Sequence, residues 1–204
     1  MNQSTIRIAT VAALALIAGS AHAASCTGVS LGTSATGDFT LGGADSTACV
    51  ISTVNPDQGP NGNSSGFSPT FGGGWTLLAK INDESSPKSL GGVSYNWDLN
   101  FDTTKNGDWA FGTDQTVKLD LVIAMHASNR SGAFLFDDAT FVANQTQQGT
   151  WVINWVNNGG QRPDYSNSSL WVRDVTVVPE PETYALMLAG LMGVGFMVRR
   201  RTVA

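Results

Sequence analysis

Ten residues, Val117 to His126, read VKLDLVIAMH. Val117, Leu119, Leu121, Ile123 and Met125 alternate with positions that include Lys118, Asp120 and His126. Successive side chains of a strand point to opposite faces, whereas a helix would spread this set around its axis. The run therefore specifies a strand with one face on a core. Similar runs, rich in β-branched and aromatic residues, recur between clusters of Gly, Asn, Ser and Pro. They are WTLLAK from Trp75, VSYNWDLNF from Val93, AFLF from Ala133, TWVINWV from Thr150 and SLWVRDVTVV from Ser169, preceded by DFTL from Asp38 and ACVISTV from Ala48. No repeat of solenoid or propeller length is present. The expected fold is all-β, a single two-sheet sandwich of the jelly-roll or lectin-like kind. Between Asn55 and Gly74 the sequence NPDQGPNGNSSGFSPTFGGG has no periodicity able to bury an apolar face, so residues 55–74 read as a flexible loop.

The two ends of the chain set its compartment. Arg7, the apolar stretch Ile8 to Ala18 and the small residues of Ala21-His22-Ala23 form a signal peptide, residues 1–23, with signal peptidase cleaving before Ala24. A lipoprotein reading centred on Cys26 fits less well, because Ala23-Ala24-Ser25 is a poor lipobox. Export places Cys26 and Cys49 in an oxidising milieu, where they are expected to close a disulfide worth roughly 3 kcal/mol. The exported part, residues 24–178, is long enough for one domain with a real core. It carries seven Lys or Arg against fourteen Asp or Glu, and such an acidic surface repels phosphate backbones, which excludes nucleic acid as a partner.

At the other end, residues 184–198 run without a charge and are followed by Arg199, Arg200 and Arg201. Fifteen residues at ~1.5 Å rise are short for a ~30 Å hydrocarbon core, but apolar flanks and snorkelling arginines extend their reach, so a transmembrane helix over 184–198 is expected. The arginines form a positive stop on the cytoplasmic side. Gly190, Gly193 and Gly195 thin one side of the helix, as in helices that dock on another membrane helix. Just before it, the prolines of VPEPE, Val178 to Glu182, hold the backbone extended, in a form a protease can grip.

Pro179-Glu180-Pro181, the Thr-Tyr-Ala-Leu lead-in, the Gly-interrupted apolar segment and the basic end together resemble the PEP-CTERM sorting signal, over residues 179–204. The resemblance implies recognition by an exosortase, a membrane-embedded cysteine protease, and removal of the tail. It also implies an inner-membrane-anchored precursor and final transfer to the cell surface or extracellular matrix of a Gram-negative bacterium. The stretch LVIAMHASNRSGAFLFDD followed by GTWVINWVNNGG resembles the β-rich ectodomains of one group of such proteins, over about residues 95–178, and implies no biochemical activity.

No constellation in the exported part specifies catalysis. Ser64 in GNSSG matches a nucleophile-elbow pattern, but lies in a Gly/Asn/Ser loop instead of between a strand and a helix. His126, the only histidine left after leader cleavage, reads as a surface or turn residue. Asp98, Asn100 and Asp102 have calcium-loop spacing, but Thr103 and Trp109 stand where an EF-hand needs Gly and Glu, and Trp97, Leu99 and Phe101 alternate with them as in a strand. Asp137 and Asp138 read in the same way, as a solvated strand face. No pair among thirteen aspartates is singled out as a glycosidase acid and nucleophile.

Six tryptophans remain, at 75, 97, 109, 151, 155 and 171. Trp151, Ile153 and Trp155 share a face and should be core. Trp109, in the turn-like KNGDWAFGTD, is the candidate for exposure and for stacking on a sugar ring. The expectation is thus a non-enzymatic surface or matrix protein, associated with exopolysaccharide, without cofactor or metal centre. The alternatives are a secreted carbohydrate-active hydrolase and an ice-binding-type adhesin, the latter lacking the repeated Thr rows an ice surface demands.

Overall fold

The computed structural model describes residues 38–81, 88–179, 186–194 and 197. The signal peptide, Cys26, Glu180, Pro181 and Arg199 to Arg201 lie outside the described residues. The described domain is built from strands in three antiparallel sheets. In chain order the strands are β1 (Thr40–Leu41), β2 (Ala44–Asp45), β3 (Ala48–Ser52), β4 (Thr76–Ile81), β5 (Lys88–Leu90), β6 (Val93–Leu99), β7 (Asn106–Thr113), β8 (Val117–Ala127), β9 (Arg130–Phe141), β10 (Thr146–Val152) and β11 (Asn167–Val177). One sheet has the order β10-β7-β6-β5 and another β3-β9-β8-β11-β4, while β1 and β2 form a small ribbon.

The period-two pattern places the core. On β6, Val93, Tyr95, Trp97 and Leu99 are buried, while Ser94, Asn96 and Asp98 are exposed. Leu119, Leu121, Ile123 and Met125 of β8 join them in one cluster, with Trp109 and Phe111 of β7, Phe134 of β9 and Trp151. Both larger sheets therefore feed a single apolar core. Strand β10 ends at Val152, earlier than the sequence suggests, yet Ile153 and Trp155 beyond it are also fully buried. Cys49 of β3 is buried in the same cluster.

The second face of β8 departs from the alternation. Val122 and Ala124 are as buried as their neighbours and belong to another cluster, with Val50, Ala133, Leu135 and Trp171. Residues 55–74 supply the cover, contrary to their reading as a loop with nothing to bury. A 3₁₀ turn over Ser64–Gly66 and a short helix α1, Ser68–Phe71, deliver Phe67 and Phe71 into this cluster. The Phe67 ring meets Trp75 and Trp171 edge-on at 5.8 and 5.6 Å. Gly62 has φ +65° and lies so close to the Trp171 ring that a Cβ there would collide with it.

Two cations hold this cover down. Near its start, Lys80 Nζ of β4 donates to the Asp57 carbonyl at 2.8 Å and pairs with the Asp57 carboxylate at 3.4 Å. At its end, Arg173 of β11 donates to the Phe71 carbonyl at 2.5 Å and stacks over the Trp75 ring at 4.2 Å. The segment was unreadable as structure because its two phenylalanines follow no strand or helix period. Truncating Phe67 to Ala should cost about 3–5 kcal/mol, read as a lower urea midpoint of the folded protein. A loss below about 1 kcal/mol would mean that the cover does not contribute to the core.

Candidate functional site

The chain leaves the fold at the end of β11. Val177 stands opposite Val117 of β8, and the Val178 N–H donates to the Thr116 carbonyl at 2.8 Å, so the backbone is held up to the residue before Pro179. The adjoining turn is fixed as well: Ala143 N–H donates to Thr116 Oγ1 at 3.1 Å and Asn144 N–H to the Thr113 carbonyl at 2.7 Å. Together they border a shallow cleft of about 240 Å³ that includes Gln115, Val177, Val178 and Pro179. Pairing of β11 with β4 runs from Ser168 to Val172, leaving the last residues of β11 paired with β8 alone. Further on, helical residues 186–194 expose Leu186, Leu188, Leu191 and Val194. A helix that is apolar on all sides needs apolar surroundings. Among the described residues no helix is long and apolar enough to cross a membrane.

Trp109 is not available for stacking on a ligand. It lies on β7, which is an inner strand of the four-stranded sheet and not a turn, and its side chain is 1 % exposed. The indole Nε1 donates to the Thr40 carbonyl at 2.8 Å, and Gly149 sits opposite it on β10 because a Cβ there would collide with the ring. Asn-Gly-Asp read as a turn, but cross-strand pairing on both sides of β7 and the space left by Gly149 decide otherwise. Trp97, Trp151, Trp155 and Trp171 are also buried, and Trp75 is half-buried beneath Arg173. The outer face of the four-stranded sheet offers instead a cleft of about 470 Å³ of mixed polar and apolar surface, whose lining includes Ser94, Asn96, Asp114, Asn144, Gln145 and Thr146.

The carboxylates gather around Asp120. Strand β8 makes a register shift against β9 at this residue and one against β11 next to it, and the bulging residues Asp138 and Asp174 have φ +55° and +52°. Asp120 Oδ1 accepts the Asp138 N–H at 2.9 Å and Oδ2 accepts Arg173 Nε at 2.7 Å. Burial pushes the Asp120 carboxyl up, but the bonds from Asp138, Arg173 and Asp137 outweigh it and hold the group below the usual carboxylate range. Asp137 moves the other way, raised by desolvation and by the negative charges of Asp120 and Asp138. A buried carboxylate that organises two bulges and anchors Arg173 has a structural task. Asp98, by contrast, is a solvated strand position, with Trp97 and Leu99 turned inward on either side.

His126 and Ser131 come together, a pairing the sequence did not announce. They stand opposite each other on β8 and β9, with His126 Nδ1 and Ser131 Oγ 2.8 Å apart. Burial lowers the His126 pKa. Ser131 is itself buried, so its hydroxyl has no approach for a substrate. Ser64 opens the 3₁₀ turn of the cover, without the entering strand that a nucleophile elbow requires.

Among the described residues Asp38 is the carboxylate with a large upward shift, from 3.8 to about 7. Its cause is burial, opposed by the Asn154 amide, which donates to Oδ1 at 2.7 Å, and by the charge of Arg162; Oδ2 has no hydrogen-bond partner. A raised folded pKa means that the folded state binds the proton more tightly than the unfolded chain. The resulting stability is complete below about pH 4 and is lost as pH rises through about 7. Asp38→Asn, which mimics the protonated acid, should remove this slope. The urea midpoint of the unsubstituted protein, measured relative to the variant, is expected to fall from about pH 4 to about pH 7.5. A constant difference over that range would show that Asp38 ionises normally. The His126 contribution is common to both proteins and cancels.

Comparison with known proteins adds one match. Residues 177–201 match the family model of the PEP-CTERM protein-sorting motif. No curated protein and no solved structure matches the chain. The chain therefore carries at its C-terminal end a PEP-CTERM sorting signal, the mark of an exosortase substrate, and that signal begins within the last residues of β11.

Proposed function

We propose that the chain is an exported, non-enzymatic protein of the cell surface or extracellular matrix, whose domain is a two-sheet sandwich delivered by exosortase processing. The observation that carries this reading is the junction at Val177 to Pro179, where the fold ends as the sorting motif begins. In this reading signal peptidase removes residues 1–23 and Cys26 pairs with Cys49. Residues 184–198 hold the precursor in the inner membrane, with Arg199 to Arg201 inside. Exosortase then grips the segment around Pro179, Glu180 and Pro181 and releases the domain.

Association with exopolysaccharide falls to the cleft on the four-stranded sheet. Its amides, hydroxyls and the Asp114 carboxylate are the groups that bond sugar hydroxyls. Support for a domain without catalysis is that its polar clusters are already occupied: Asp120 by Arg173 and the Asp138 N–H, Ser131 by burial. A second reading, a secreted carbohydrate-active hydrolase, draws on one observation, the opposed shifts of the Asp120 and Asp137 carboxyls. Retention of glycans by the released protein without product formation would favour the matrix role, and product release would favour the hydrolase.

The deciding measurement is the intact mass of the protein from membrane, surface and medium fractions of its own cells. A surface or medium species that starts at Ala24 and ends between Pro179 and Glu182 is expected. Its cysteines should accept an alkylating agent only after reduction. A protein found only in the membrane with Arg199 to Arg201 retained would overturn the sorting reading.

A further inference from the structure

We propose that the end of the folded domain around Val142, Val177 and Val178 is a docking surface for the exosortase, so that the protease engages the folded domain as well as the tail. This inference rests on the sorting reading above and goes beyond it. Among the described residues of the domain, the exposed large hydrophobic side chains are Phe101, Val142, Val177 and Val178, and the three valines are 42, 44 and 39 % exposed. All three lie at one end. Val177 stands opposite Val117, Val117 in turn stands opposite Phe141, and Val142 follows Phe141 directly. Three of the four outlying apolar side chains thus surround the point where the chain leaves the fold.

The covalent geometry names the occupant. The Val178 N–H is bonded to the Thr116 carbonyl, so no slack chain separates the sheet from Pro179. A protease that grips the segment from Pro179 onward in an extended form must bring the rim of its cleft against the residues just upstream, which are these valines and the turn at Asp114 to Thr116. Six residues, 180–185, separate the described end of the domain from helical residues 186–194. At about 3.3–3.6 Å per step, the seven steps from Pro179 to Leu186 span at most roughly 25 Å, which keeps this end of the domain near the membrane surface where such a protease works. The bilayer itself is a poorer occupant, because sinking the patch into it would strip water from the Asp114 carboxylate beside it. Exposed apolar side chains at the end of a domain are also what a protein partner can cover.

The test uses the full-length precursor co-expressed with its exosortase. A photo-crosslinking residue at position 142 is expected to capture the protease, while the same residue at Ser128, in the turn at the far end of β8, captures none. Val142→Asp should slow conversion of precursor to released protein by about five- to tenfold at unchanged thermal stability. A ten-residue Gly/Ser spacer inserted between Val178 and Pro179 should bring the unsubstituted chain and the Val142→Asp variant to equal rates, since it removes the enforced contact. Capture of lipid alone, of a second copy of the chain, or of nothing at position 142, with unchanged processing of Val142→Asp, would overturn the docking surface while leaving the sorting reading intact. Absence of processing in every chain, including the unsubstituted one, would instead overturn the sorting reading and the docking surface with it.

Discussion

The structure depends on covering both faces of β8. Leu119, Leu121, Ile123 and Met125 meet the four-stranded sheet, but Val122 and Ala124 on the other face, with Ala133, Leu135 and Trp171 beside them, would leave an apolar surface in water if nothing lay over them. Phe67 and Phe71 close it. Their segment has only a 3₁₀ turn and one turn of helix of its own, so its position comes from the rings it buries and from the two cations that tie its ends to β4 and β11. A sheet with one covered face would have tolerated the alternation seen in β6. Strand β8 could not, and the glycine- and proline-rich segment became part of the core.

Arg173 links this cover to the rest of the sheet. It bonds Asp120 within the double bulge, the Phe71 carbonyl at the end of α1 and the face of Trp75, so one side chain joins three layers of contact. Burying a charged pair of this kind is tolerable only when the remaining hydrogen-bonding capacity is met, as the Asp138 N–H does for Asp120. The same accounting explains why the acidic cluster, although it contains carboxyls displaced in opposite directions, is organised around the backbone instead of around an open cleft. Opposed pKa shifts mark functional sites only when the groups face a substrate.

The sorting signal and the fold meet without an intervening linker. Strand β11 is an inner strand along its first half and is paired on one side only along its second, which brings Thr176 to Val178 to the rim of the domain just before the Pro179 backbone ceases to offer an N–H. A domain that ends in this way holds its backbone in the sheet up to Val178, within the first residues of the matched signal.

Several properties were legible in the sequence for local physical reasons. The alternation in Val93 to Leu99 and Val117 to Met125 identified strands and their inward residues, Trp151, Ile153 and Trp155 were recognisable as core, and the order of Pro179-Glu180-Pro181, apolar run and arginines identified the sorting signal. What the tertiary structure decided lay in contacts between distant residues. Trp109 became core because Gly149, forty positions away, leaves room for its ring and Thr40 accepts its indole proton. His126 found Ser131 through a hairpin register, and Phe67 found Trp171 across more than one hundred residues. Periodicity and motif order are written along the chain and can be read there, whereas the partner that fills a space or answers a polar atom is set only when strands far apart in sequence are brought side by side.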